Sequence, residues 1–256
     1  MTASPSVAET PLSPPGIPAV VVAGVLVAVL CAVALIASGF GYRLGWWGLR
    51  GAFTMLRWSA YGGGIGALVS LAGTLVAWRG AGRAAMGLGL LGVVVGLVVI
   101  GVPWSWLRRA RSVPGIHDIT TDTEHPPAFV AVLPLRVTAP NKPVYGGAEV
   151  AAQQLKAYPD VKPILLPLPP PEAFAHALAA ARGMGWDIVA TDSAAGRIEA
   201  TATTFWYGFK DDVVIRVTPG AGGARIDVRS ESRVGGSDVG TNAERIRAYT
   251  KKLTGV

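Results

Sequence analysis

One cysteine, Cys31, stands in 256 residues, so no internal disulfide braces the chain. The three histidines, His117, His125 and His176, show no zinc-ligand spacing with it. The fold must be held by apolar burial. Charge is scarce: 15% of residues are charged against 51% hydrophobic, with a mean hydropathy of +0.43. That balance excludes a disordered or fibrous chain and is too apolar for one ordinary soluble domain. Acid is nearly missing from the first half. Up to Arg111 the only acidic residue is Glu9, against Arg43, Arg50, Arg57, Arg79, Arg83, Arg108, Arg109 and Arg111, while from Ser112 onward fifteen basic residues meet fifteen acidic ones. The formal charge of +7 and pI near 9.9 therefore belong to the apolar half. A neutral second half supplies no charge for phosphate contacts, which argues against a nucleic-acid partner, and the arginines read as flanks of membrane segments.

Three stretches lack charge altogether, between Glu9 and Arg43, Arg57 and Arg79, and Arg83 and Arg108. Each holds about 20 apolar or small residues, the length a bilayer core requires. Spans are predicted at 19–40, 59–78 and 84–104, forming a three-helix transmembrane domain over 19–107 after a disordered tail at 1–18. The lipid bilayer is the partner this implies. Tyr42, Trp46, Trp47, Trp58, Tyr61, Trp78, Trp104 and Trp106 sit at the span ends, where amphipathic rings prefer to lie. The tail is acidic and proline-rich rather than basic, which argues against a cleavable signal peptide. Gly62, Gly66, Ser70 and Thr74, and Gly92 with Gly96, recur at four-residue spacing and predict close helix packing. No Asp, Glu, Lys or His lies inside a span, so an ion pathway has no relay. Arg43, Arg50 and Arg57, separated by Trp46, Trp47, Leu49, Phe53 and Leu56, predict a short interfacial helix.

The second half, 112–256, reads as a soluble α+β domain with a proline-rich prelude at 112–171. Prolines confine that prelude to extended chain laid over the domain, apart from a short helix near 148–157. A helix follows at 172–182. Four strands are predicted by alternation at 186–191, 197–205, 213–218 and 224–234, then a helix from Thr241, with Thr241 and Glu244 as its capping box. Helix, four-stranded antiparallel sheet, helix is the expected order. On the last strand Ile226, Val228, Ser230, Ser232 and Val234 alternate with Arg225, Asp227, Arg229, Glu231 and Arg233, giving one core face and one charge comb expected to be solvated and self-neutralised. Arg216 is placed across from Asp227.

Three segments carry a family resemblance: Val113-Pro-Gly-Ile-His-Asp-Ile-Thr-Thr-Asp-Thr-Glu-His-Pro-Pro-Ala-Phe129, the aromatic stretch from Ile198 through Phe205-Trp-Tyr-Gly-Phe209 to Val217, and Asp227-Val-Arg-Ser-Glu-Ser-Arg-Val-Gly-Gly-Ser-Asp-Val-Gly-Thr-Asn-Ala-Glu-Arg-Ile-Arg247. Over 112–254 the chain resembles the family called domain of unknown function 1499. The resemblance implies a bacterial envelope protein, similar three-span members placing the domain in the periplasm, and it implies no reaction, cofactor or catalytic residue. The N-terminal tail of those members is basic, unlike this one. Counted alone, the arginines put the first loop and the C-terminal domain on the cytoplasmic side instead.

Two clusters invite a chemical reading. His117, Asp118, Asp122, Glu124 and His125 offer imidazole and carboxylate groups for a divalent ion, although their spacing matches no ligand set and Pro126-Pro127 extends the segment. Gly235, Gly236 and Ser237, before a helix and near Arg229, Arg233 and Arg245, offer backbone N–H groups and guanidinium forks to a carboxylate, phosphate or lipid headgroup. The structural alternative is that Asp238 caps the helix while the arginines pair with Asp227 and Glu231. Asp211 and Asp212 adjoin a turn and face opposite sides of a strand, which disfavours paired acid–base chemistry. The sequence thus points to a membrane-anchored, non-catalytic binding or interaction module of the bacterial inner membrane, with no cofactor and with another envelope protein or a lipid headgroup as ligand. The alternative is an enzyme on lipid or cell-wall substrates, or an anion- or metal-binding domain.

Overall fold

The computed structural model describes residues 16–255; residues 1–15 of the expected tail lie outside them. The chain divides into two compact units, one comprising the chain up to Ser38 with Trp47–Trp104, the other Gly39–Trp46 with Ser105 onward.

Three helices, α1 (Ala19–Arg43), α2 (Leu49–Trp78) and α3 (Gly82–Ser112), are each long and apolar enough to cross a membrane. They contain the three predicted spans. The stretch between Arg43 and Arg57 is not a separate interfacial helix: from Leu49 onward it forms the first turns of α2, which runs unbroken for 30 residues. Gly45, at φ 75°, lies just past the end of α1, but from Leu49 onward no proline interrupts the chain, and continuing a helix avoids the unsatisfied backbone groups that two extra ends would create. Within the first unit the small residues of α2 are spent on close approach. A Cβ on Gly66 would stand 2.8 Å from the Ala28 nitrogen of α1, and one on Gly96 of α3 would stand 2.8 Å from the Ala67 Cβ. Fully buried Ser70 lies against both Gly24 and Gly92. Lipid provides no hydrophobic drive between helices, so such backbone contact is what holds them together.

The second unit is built on an antiparallel sheet. The four expected strands are present as β3 (Asp187–Asp192), β4 (Arg197–Thr203), β5 (Lys210–Gly220) and β6 (Gly223–Ser232). Two three-residue strands from the prelude, β1 (Asp118–Thr120) and β2 (Ile164–Leu166), pair one after the other along the free edge of β6 and bring the sheet to six strands. Gln154, buried in α4 (Gly147–Ala157), protects the outer side of β1: its amide accepts from Thr120 N at 2.9 Å and donates to Thr120 O at 2.6 Å. Helices α5 (Pro170–Gly183) and α6 (Thr241–Thr254) cover one face. Ile198, Val213, Ile215, Ile226 and Val228 meet Ala177, Ile246 and Tyr249 there, with the Trp186 ring stacked on Tyr249 at 5.4 Å.

The α6 N-terminus departs from its expected capping box. Gly240, at φ 78°, precedes the helix, and it is the Asp238 carboxylate that accepts from Gly240 N at 2.7 Å and Asn242 N at 2.8 Å. Glu244 instead pairs with Arg109 at 2.6 Å. Because Val239 and Gly240 both have positive φ, the chain doubles back before the helix and brings Asp238, not Thr241, under the free N–H groups.

Candidate functional site

The sheet face opposite α5 and α6 carries the charge. Register decides who meets whom: Asp118 of β1 lies across from Glu231 of β6, Glu231 from Asp212 of β5, Asp212 from Thr201 of β4, and Arg216 from Asp227 as expected. The comb is self-neutralised, but it is not solvated. Asp227, Arg229, Glu231 and Asp212 are all 3% exposed or less: the prelude between Pro127 and Pro143 packs over the last three, and Thr121, Arg216 and Arg225 close over Asp227.

Attachment of that cover is polar. Glu199, fully buried on β4, accepts from the backbone N–H groups of Val130, Ala131 and Val132 at 3.0–3.1 Å. Those donors open a short 3-10 helix (Leu133–Arg136), and a carboxylate at such an end meets its free N–H groups and positive pole. From the helix's last residue, the Arg136 guanidinium reaches down between two carboxylates, bonding Asp212 at 2.8 Å and Glu231 at 2.7 Å. Asn141 donates to the carbonyls of Ser232 and Gly235 at 2.8 and 2.9 Å. Arg229 donates to Pro127 O and Pro143 O at 3.2 and 2.9 Å. Each bond satisfies a group that the cover has removed from water.

The residues proposed for anion binding are placed as follows. Arg229 holds Asp118 in a fork, with contacts of 2.9 and 2.7 Å. Arg233 holds Asp212 in the same way at 2.8 and 2.7 Å. Arg245 of α6 lies on the other face of the sheet, pairing with Asp211 at 2.5 Å and with Ser230 at 3.0 Å. The Gly235 carbonyl is taken by Asn141, the Ser237 hydroxyl accepts from Val239 N at 3.2 Å, and Gly236 is exposed. Asp211 and Asp212 do face opposite sides of the sheet, both buried at the start of β5, just after the turn that precedes it.

The proposed metal residues are dispersed. Asp118 is committed to Arg229, and the His117 carbonyl accepts from Ser232 N and Asn242 Nδ2. Asp122 closes a turn by accepting from Glu124 N and His125 N, and its second oxygen meets Arg216 at 3.1 Å and Arg225 at 2.9 Å. Glu124 and His125 are exposed. Among the described residues no three His, Cys, Asp or Glu side chains are gathered for a metal ion.

Electrostatically the face is uneven. Burial, with Asp118 adding to it, pushes the Glu231 carboxyl up to about 8 against the pull of Arg136 and Arg229. Burial likewise opposes ionisation of Asp122, but N–H bonds from His125 and Glu124 and the nearby Arg225 and Arg216 hold it below the ordinary carboxylate range. Beside the network, Pro126, Phe129, Leu133, Pro143, Val144 and Tyr145 line an apolar groove of about 370 Å³ with Arg229 at its floor. The Arg229 guanidinium lies 4.7 Å from the Phe129 ring centre and 5.7 Å from that of Tyr145. The Tyr145 hydroxyl has no hydrogen-bond partner, and burial raises it to about 12.

Arg136 and Glu199 are the residues that sequence reasoning passed over. A signal existed for the first: Arg136 is the only lysine or arginine between Ser112 and Asn141, and an isolated cation in apolar, proline-rich chain needs a partner. Glu199, by contrast, reads as an ordinary outward residue of an alternating strand.

Comparison with curated proteins and with solved structures finds no match. A family model does match, covering residues 118–253, which takes in every strand of the sheet, the cover and nearly all of α6. The chain belongs to the family described as Protein of unknown function (DUF1499).

Proposed function

We propose that this chain is a multi-pass protein of a bacterial inner membrane whose soluble domain stands in the periplasm as a non-catalytic binding or interaction module. The observation that carries the reading is the commitment of Arg229, Arg233 and Arg136 to Asp118, Asp212 and Glu231 beneath the cover. These groups are spent on one another beneath the cover, and a lipid phosphate would have to displace a buried carboxylate to reach a guanidinium. What that face presents outward is the groove walled by Pro126, Phe129, Pro143 and Tyr145. Apolar rings and prolines lining such a groove suit an extended segment of another envelope protein. That favours a protein partner over a headgroup.

Support for the periplasmic side comes from the family resemblance and from Arg109, which is paired with Glu244 and so contributes less free positive charge than the arginine count assumes. Two experiments test the reading. Alkaline phosphatase fused after Val256 is active if the domain is periplasmic, and an inactive fusion overturns the orientation. With the full chain in nanodiscs, proline-rich peptides raise the melting temperature of the domain and Val144→Asp abolishes the effect. Stabilisation by phosphate or divalent ions instead, or turnover of a lipid or muropeptide, overturns the binding-module reading.

A further inference from the structure

The loop joining β4 to β5 is aromatic, with Phe205, Trp206, Tyr207 and Phe209 in five residues. It is a closed turn: Thr204 N donates to Phe209 O at 2.8 Å, Gly208 N to Thr204 O at 3.0 Å, and Phe209 N to the Thr204 hydroxyl at 2.9 Å. Within the second unit it packs on the last turn of α1. Phe205 meets Phe40 edge-on at 5.5 Å, Tyr42 meets Phe209 at 5.5 Å, and Arg43 donates to the Phe205 carbonyl. Gly208, at φ 67°, lies over the Arg43 side chain, where a Cβ would stand 2.7 Å from its Cγ. Yet the Phe205 ring remains 79% exposed, alongside Leu44 at 61% and Trp46 at 68%.

We infer that the 204–209 loop is a second membrane contact, with Phe205 seated in the interfacial layer of the lipid bilayer beside the end of α1. The inference rests on the membrane reading proposed above. Twenty-five helical residues span about 37 Å, more than a hydrocarbon core of about 30 Å, so Phe40–Arg43 reach the headgroup boundary. Arg43 is the first charge after Glu9 and marks that boundary from the sequence side. A ring packed on Phe40 shares its depth, and aromatic rings at that depth gain from apolar contact while their neighbours stay wet. Exposed Phe205 and Leu44 therefore lie beside Phe40 at the end of α1, within the second unit, and lipid is the occupant that a membrane-crossing α1 supplies.

Spin labels test it in the full chain, with Cys31→Ser as background and vesicles of phosphatidylcholine and phosphatidylglycerol. Labels are placed singly at Phe205→Cys, at Leu44→Cys as a second reporter of the same layer, at Leu68→Cys midway along α2, and at Glu172→Cys on the exposed side of α5. Collision with oxygen is compared with collision with a water-soluble nickel chelate. At positions 205 and 44 the oxygen-to-nickel ratio is expected to lie several-fold above that at 172 and below that at 68. A ratio at 205 equal to that at 172, with 68 still lipid-like, overturns the inference alone. Water-like ratios at 68 as well overturn the membrane reading itself. Dipolar broadening at 205 that disappears on dilution with unlabelled chain shows a second copy of the protein there, and also overturns it.

Discussion

Replacing Arg136 by methionine keeps most of the side-chain volume and removes the one cation that bridges Asp212 and Glu231. Removing one member of a buried ion pair costs about 3–5 kcal/mol when the other is left charged. Here two features reduce the cost near neutral pH: Asp212 keeps the Arg233 fork, and Glu231, already pushed up to about 8, stays protonated. About 2 kcal/mol is therefore expected at pH 7. The pH dependence is sharper. In the parent protein the folded Glu231 value lies above its ordinary 4.5, so its proton-linked stabilisation is full below that value and is lost as pH rises through about 8. Without Arg136, the folded value moves higher still. The variant then holds a proton that the parent has released, and its deficit grows above pH 8 by up to about 1.4 kcal/mol per pH unit until its own value is reached. Urea titration of the full chain in nanodiscs, with proteolysis of the 112–256 region as readout, measures this at pH 7 and pH 9.5. A deficit below about 0.5 kcal/mol at pH 7, the size of an ordinary surface change, or one that does not grow at pH 9.5, refutes the account of a buried, cover-spanning network.

Three further perturbations follow from the same geometry. Glu199→Gln leaves the N–H groups of Val130, Ala131 and Val132 with a neutral acceptor; a loss of about 1–2 kcal/mol is expected, together with faster hydrogen exchange confined to 128–136. Asp238→Ala removes two capping bonds and lowers stability by about 1–2 kcal/mol, whereas Thr241→Ala changes it by less than about 0.5 kcal/mol; equal effects in urea titration would restore Thr241 as the cap. Gly66→Val forces a side chain against the Ala28 backbone, so a lower melting temperature in detergent is expected, corresponding to about 1–3 kcal/mol of overpacking, while Gly87→Ala, where no atom lies within 4 Å of the added Cβ, leaves it unchanged.

Most of the architecture was legible because it is written in periodicity. Uncharged runs located the three long helices, and alternation located β3 to β6 with the correct face inward, down to Arg216 opposite Asp227. What escaped has little period to show. β1 and β2 are three residues each, recruited by an edge that already exists. The start of α2 resembled a surface helix because charge and aromatic spacing report polarity, whereas the continuity of a backbone depends on whether anything stops it. At α6 the Thr241 and Glu244 spacing fits a capping box, but a box needs ordinary backbone before the helix, and Val239 and Gly240 at positive φ hand the role to Asp238.

The site was harder to read for a different reason. Alternation along β6 states which side chains share a face and says nothing about what covers that face; Arg229 and Glu231 have the same pattern whether water or Phe129 lies above them. The missing information sat about 100 residues upstream, in a segment whose prolines hide its contacts from any periodic test. A buried arginine is costly unless paired, so Arg136, alone in apolar chain, implied two things at once: a carboxylate within reach and a surface charged enough to be worth covering. Asp118, Asp212 and Glu231 converge on that face, so the prelude and the comb form one layer, in which Arg136 and the N–H groups of Val130, Ala131 and Val132 meet carboxylates that burial would otherwise leave unpaired.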